Sequence, residues 1–165
     1  MTKIAFSILG ILVAAKIAIA AQQDHRFVRK FQFPAGREFA VVAEGVIEPR
    51  SIGSYSVRIY SGLSSKFPFD DFVAGIVMPR DGAVEDVKFH DLDGDGRPEV
   101  VVIVRSVGSG GYLSADAFRY RTRSLEFAVS VSDLDKRADP IQALRDKLKV
   151  PAENRTPPHP ENRQR

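Results

Sequence analysis

Carboxylates crowd one short stretch of the chain, Asp91-Leu-Asp93-Gly-Asp95-Gly-Arg-Pro-Glu99. Acidic residues at alternate positions with Gly at the sixth can wrap hard oxygen ligands around Ca²⁺, the Arg97 carbonyl and the Glu99 carboxylate completing the shell. The twelfth position is Val102, so the bidentate Glu of an EF-hand is missing, and the residues that follow read as a strand rather than a helix. The same spacing also suits a strand-to-strand turn, in which Asp supplies side-chain-to-backbone bonds and Gly supplies positive φ. On both readings Asp91, Asp93, Asp95 and Glu99 are structural rather than catalytic. A second stretch, Arg105-Ser-Val-Gly-Ser-Gly-Gly-Tyr112, is longer than a tight hairpin needs. Its small residues allow a thin, sharply bent loop, and Tyr112 gives that loop one hydroxyl on an amphipathic ring.

Other chemistry has little to work with. Of three His, His25 and His159 lie near the ends, and only His90 sits inside the patterned region. No Gly-x-Ser-x-Gly elbow accompanies it, which argues against a hydrolytic triad. Gly108-Ser-Gly-Gly111 lacks both the Lys-Ser/Thr of a phosphate loop and the G-x-G-x-x-G spacing of a dinucleotide site. The chain contains no Cys, so disulfides, thiolate metal sites and cysteine nucleophiles are all excluded.

At 165 residues and 44% hydrophobic, the composition is that of one ordinary domain. The formal charge of +3 comes from the two ends of the chain. Lys3 and Lys16 carry the first 21 residues, and Arg155, Arg163 and Arg165 outnumber Glu153 and Glu161 after Pro151, which leaves the middle neutral. A neutral folded part lacks the electrostatic footprint needed to bind a phosphate backbone, so nucleic acid is not an expected partner.

Residues 1–21 have the layout of a secretory signal: Lys3, an apolar run from Ile4 to Ala15, and small residues around Ala18-Ile-Ala-Ala21. The run is too short for a membrane span, which needs roughly 20 apolar residues. Export to a periplasm is expected, with no membrane attachment after cleavage. From Pro151 to Arg165 no apolar periodicity occurs, so that segment reads as a disordered tail and residues 22–150 as the folded domain.

Within the domain the hydrophobic period is two. Phe27, Arg29, Phe31 and Phe33 alternate with Val28, Lys30 and Gln32; Tyr55, Val57 and Ile59 alternate with Ser56, Arg58 and Tyr60; Leu125, Phe127, Val129 and Val131 alternate with Glu126, Ala128 and Ser130. Further strands are expected over 39–48, 72–78, 84–89, 100–105 and 113–120, with turns at Pro34-Ala-Gly36, Pro79-Arg-Asp-Gly82 and Asp93-Gly-Asp-Gly96. About eight short strands predict an all-β protein, an antiparallel sandwich or barrel. Val100-Val-Val-Ile-Val104 shows no alternation and suits a central strand covered on both faces. A short C-terminal helix is expected where Asp139 caps, Pro140 takes the first position, and Ile141, Leu144 and Leu148 share one side, packed on the sandwich edge.

Three segments together carry a family resemblance: Arg50-Ser-Ile-Gly-Ser-Tyr-Ser-Val-Arg-Ile-Tyr-Ser-Gly62, the Asp91–Glu99 turn, and Arg105-Ser-Val-Gly-Ser-Gly-Gly-Tyr-Leu-Ser-Ala-Asp-Ala-Phe118. From about Phe27 to Leu148 the chain resembles the periplasmic inhibitors of invertebrate-type (I-type) lysozyme. The resemblance implies an antiparallel β-sandwich without catalysis or cofactor, whose Ser-Gly-x-Tyr loop enters the lysozyme cleft and so protects peptidoglycan. That pattern falls on Ser109, Gly110, Gly111 and Tyr112. Arg58, Arg105 and Arg119 are further candidate contacts at an acidic rim if they lie on the loop side. Two rival functions stay open on the residues alone. One is a calcium-stabilised secreted binding module using Asp91, Asp93, Asp95 and Glu99, and the other a small periplasmic hydrolase with a carboxylate pair. Neither oligomeric state nor affinity follows from the sequence.

Overall fold

The computed structural model describes residues 26–149, so the expected signal at 1–21 and tail at 151–165 lie outside the described residues. Eight strands and one helix follow in order: β1 (Val28–Gln32), β2 (Phe39–Glu44), β3 (Ile52–Tyr60), β4 (Phe72–Asp81), β5 (Ala83–His90), β6 (Glu99–Arg105), β7 (Leu113–Arg121), β8 (Ser124–Leu134) and α1 (Pro140–Lys149). They form two four-stranded antiparallel meanders, β1-β2-β3-β4 and β5-β6-β7-β8. The expected sandwich is therefore observed.

Alternation explains the packing. Ala40, Val42, Tyr55, Val57 and Ile59 of the first sheet meet Val87, Val100, Val102, Val104 and Phe118 of the second, and all are buried. Phe27, Phe31 and Phe33 join this core as the sequence period requires, while the Arg29 guanidinium lies 4.9 Å above the Phe27 ring. Strand β6 is buried at every position from Glu99 to Val104. It lies between β5 and β7, and its odd-numbered residues Val101 and Ile103 enter a second cluster with Leu113, Ala115, Ala117 and Val129. Ile141 and Leu144 of α1 close that cluster.

Three expectations need correction. The helix covers the outer face of the second sheet over β7 and β8 rather than its edge, because Val101, Ile103 and Ala117 leave an apolar face that must be buried. Strand β2 stops at Glu44 instead of continuing to Glu48, since the chain turns at Gly45 around the Glu48 carboxylate. Pro79 and Arg80 lie inside β4 rather than in a turn. β4 is an edge strand, where a missing N–H is tolerated.

Only Gly82 separates β4 from β5, and there the chain passes from one sheet to the other. Its φ is +122° and a Cβ would collide with the Arg105 carbonyl, so no other residue fits. The helix cap is as expected: Asp139 Oδ1 accepts the Ile141 N–H at 2.9 Å, and Lys147 and Lys149 occupy the last turn.

Candidate functional site

The strand registers sort every connection to one of two ends. Glu44 pairs with Tyr55, Ile52 with Asp81, Ala83 with Arg105, and Leu113 with Leu134. The 45–51 loop, the Gly82 crossing and the 106–112 loop therefore share one end of the sandwich. Phe39 pairs with Tyr60, His90 with Glu99, and Arg121 with Ser124. The 91–98 turn consequently lies at the opposite end, far from the 106–112 loop.

The 106–112 loop is closed by its own backbone. Ser106 N donates to the Tyr112 carbonyl at 2.9 Å, and Gly111 N donates to the Gly108 carbonyl at 3.1 Å, which makes a tight turn of Gly108 to Gly111. Gly111 has φ +57°, the left-handed region in which a side chain is strained. A Cβ on Gly110 would intrude on the Tyr112 ring, so this glycine leaves the space in which the ring lies. Ser109 is exposed at the turn, and Tyr112 is 52% exposed. The Tyr112 ring thus belongs to the surface of the loop and not to the core.

Arg105 holds this loop from its base. Its Nη1 donates to the Gly111 carbonyl at 2.9 Å, while Nε and Nη2 grip the Glu85 carboxylate on the neighbouring strand, the Nη2 bond measuring 2.8 Å. The bond to Glu85 pushes the Arg105 guanidinium still higher than its ordinary value, so it is charged at every physiological pH. Of the three arginines expected near a rim, Arg105 alone reaches the loop. Arg119 lies at the other end beside Asp93, and Arg58 sits in mid-strand opposite Val41 and Gly75.

Beside this loop the 45–51 segment is wound around Glu48. The Glu48 carboxylate accepts the Ser54 N–H at 2.5 Å and the Ser54 hydroxyl at 2.7 Å, which hold it below the usual carboxylate range. Arg80, whose side chain is fully buried, donates to the carbonyls of Ser54 at 3.1 Å, Arg50 at 2.7 Å and Pro49 at 3.0 Å, and also to that of Gly82. Glu44 lies 3.8 Å from Arg80 Nε and accepts the backbone N–H groups of Phe27 and Val84.

The Asp91–Glu99 turn is a charge network. Oxygens of Asp91, Asp93 and Glu99 lie within 4.8 Å of one another, while Asp95 turns toward Arg121 at 2.8 Å. Asp91 accepts Gly94 N and Gly96 N, while Asp93 accepts Asp95 N and Asp95 accepts Arg97 N, the i+2 bonds of Asx turns. Glu99 is fully buried, and that burial pushes its carboxyl up; it accepts Leu92 N at 3.0 Å. Arg119 bonds Asp93 at 2.7 Å and approaches Glu99 at 3.5 Å, and Arg121 bonds Glu99 at 3.2 Å. The hydrogen bond from Arg121 holds Asp95 low. Arg119 and Arg121 thus offset part of the negative charge of these four carboxylates.

Sequence reasoning found both loops but missed Glu85, Arg80 and Glu44. Glu85 could have been found as a residue opposite Arg105 across a β5–β6 pair. Arg80 was hidden by its place between Pro79 and Asp81-Gly82, which reads as a turn.

A closed sandwich that holds an ordered glycine turn and an exposed phenol at one end has the build of a protein-binding domain. The chain belongs to the PliI family, the periplasmic lysozyme inhibitors of I-type lysozyme, whose model matches residues 25–148. It is accordingly an inhibitor of the periplasm and not an enzyme. Two solved structures are similar to it. PliI-Ah, the periplasmic lysozyme inhibitor of I-type lysozyme from Aeromonas hydrophila, is 46% identical with a TM-score of 0.67, over 72% of this chain and 98% of that one. Aeromonas hydrophila PliI in complex with Meretrix lusoria lysozyme is 45% identical with a TM-score of 0.67, over 77% of this chain and 98% of the other. No curated protein sequence matches the chain.

Proposed function

We propose that this protein inhibits I-type lysozyme by inserting the Ser109-Gly110-Gly111-Tyr112 loop into the active-site cleft, which leaves peptidoglycan uncut. The observation that carries this reading is the loop itself: closed by the Ser106–Tyr112 bond, held by Arg105, and exposed at Ser109 and Tyr112. In a glycosidase cleft two carboxyl groups flank the scissile bond. The Ser109 hydroxyl can donate to one of them, and the Tyr112 ring can fill a sugar subsite. Titrating the protein into Meretrix lusoria lysozyme while following cell-wall lysis tests the reading. Lysis is expected to stop near equimolar protein, and undiminished lysis at excess would overturn it.

Arg105 is a positioning residue in this account. Arg105→Ala is expected to weaken inhibition about fivefold to tenfold, because the binding-competent loop becomes one conformer among several. The Arg105 side chain is 37% exposed, so the thermal midpoint should hardly move. Faster amide exchange at Gly111 in the free variant would mark the loosened loop. Unchanged inhibition would mean that the clamp is idle.

In this reading the Asp91–Glu99 turn is a staple joining β5 to β6, held by its own side-chain-to-backbone bonds and by Arg119 and Arg121. Excess chelator is therefore expected to leave the thermal midpoint within about 1 °C, since a cation bound only by the native state would raise it through mass action. A fall of several degrees that calcium reverses would restore the binding-module reading.

A further inference from the structure

Val46 is 73% exposed and Ile47 is 99% exposed, the latter an apolar side chain held almost wholly in water. They stand at the tip of a loop that is anything but slack. Its carbonyls at Pro49 and Arg50 are bound by buried Arg80, its Glu48 carbonyl accepts a bond from Arg26, and its Glu48 carboxylate is bonded twice by Ser54. An ordered loop that displays two β-branched apolar residues has no fold-stabilising reason to do so.

The root of this loop lies beside the root of the 106–112 loop. Gly82 N donates to the Ser51 carbonyl at 2.8 Å, and a Cβ on Gly82 would meet the Arg105 carbonyl and the Ser106 α-carbon. The two loops leave the middle strands of two sheets that pack about 10 Å apart, and they leave at the same end. A partner seated on one is within reach of the other. Size points the same way. A stable protein interface draws roughly 20–30 residues from each side, whereas the 106–112 loop offers seven.

We propose that the Val46–Ile47 tip is a second contact on the same lysozyme, an apolar bumper that packs outside the cleft while the Ser109–Tyr112 loop lies within it. The proposal rests on the cleft-insertion reading and adds the surface that completes its footprint. Its partner chemistry is an apolar patch on the lysozyme rim, because neither side chain offers a hydrogen bond. Val107, 54% exposed, adds an apolar side chain on the inserting loop itself.

The test is the pair Val46→Ala with Ile47→Ala in the full chain, set beside Tyr112→Ala and the triple variant. The double variant is expected to weaken inhibition of Meretrix lusoria lysozyme about tenfold with an unchanged thermal midpoint, because both residues are exposed. Its effect should add to that of Tyr112→Ala in the triple variant, as separate contacts do. Full inhibition by the double variant overturns the proposal. Full inhibition by Tyr112→Ala beside a weakened double variant would instead overturn cleft insertion and leave the bumper standing as a contact. If the double variant keeps full inhibition but abolishes self-association in sedimentation, the tip belongs to a second copy of the chain and the proposal fails.

Discussion

Tyr112→Ala is expected to weaken inhibition of an I-type lysozyme by at least about tenfold, and by about thirtyfold if the lost anchor is worth about 2 kcal/mol, while the thermal midpoint stays in place. The two readouts separate because the ring belongs to the surface. It is 52% exposed and touches the loop glycine rather than the core. Interface anchors are aromatic side chains that go from half-exposed to enclosed on binding, so their truncation removes binding energy without opening a cavity in the free protein. Tyr112→Phe divides the loss further. It keeps the ring and removes the hydroxyl, so recovery of most of the inhibition assigns the anchor to packing. Equal inhibition by Tyr112→Ala and the parent would place the contact elsewhere.

Arg80→Leu should produce the largest loss of stability. The guanidinium is fully buried, spans four backbone carbonyls and stands beside the buried Glu44 carboxylate. Removing it takes this donor from the Pro49, Arg50 and Gly82 carbonyls and leaves the buried Glu44 carboxylate, still bonded by the Phe27 and Val84 N–H groups, without its counter-charge, a change that costs about 3–5 kcal/mol when a buried pair is broken from one side. For a domain of this size the thermal midpoint should fall by about 10 °C or more. Arg80→Lys, which restores the charge but only part of the fork, should lie between the two. A midpoint within about 2 °C of the parent for Arg80→Leu would show that the hub is replaceable by water. Because Arg80 fixes both the 45–51 loop and the Gly82 crossing, inhibition at low temperature should suffer as well.

Most of this architecture was readable because the two sheets are amphipathic in the simplest way. The alternation in β1 and β3, and its absence in β6, followed directly from which faces are covered; in β8 it failed, because the register shift opposite Ala117 and Phe118 puts Leu125 in the inner core, Val129 and Val131 in the cluster under the helix, and Phe127 at the surface. The helix was legible through Asp139, Pro140 and the Ile141/Leu144/Leu148 spacing, but not its seat, since a stripe says that a face is buried without saying against what. Strand ends were less legible where side chains rather than turn residues set them. Gly45 and Glu48 end β2 through a carboxylate that folds back on the backbone, and Pro79-Arg80 imitates a turn inside an edge strand.

For the site, the glycine-rich loop and its terminal Tyr were visible in composition alone. The link between Arg105, Glu85 and Gly111 was not, because it joins residues 20 and 6 positions apart through a register that only pairing defines. The Asp91–Glu99 spacing suggested oxygen ligands for an ion. What the pattern lacks is any trace of Arg119 and Arg121, which come from β7 and pair with Asp93, Asp95 and Glu99 from the neighbouring strand. Acidic spacing alone does not distinguish a cation from a guanidinium.

Amide hydrogen exchange across residues 106–112, compared between the free protein and its complex with Meretrix lusoria lysozyme, tests cleft insertion most directly. The account predicts strong new protection at Ser109, Gly110 and Tyr112 on binding, and loss of that protection when a chitooligosaccharide occupies the cleft. Exchange at those amides that is the same in complex and free protein would contradict it.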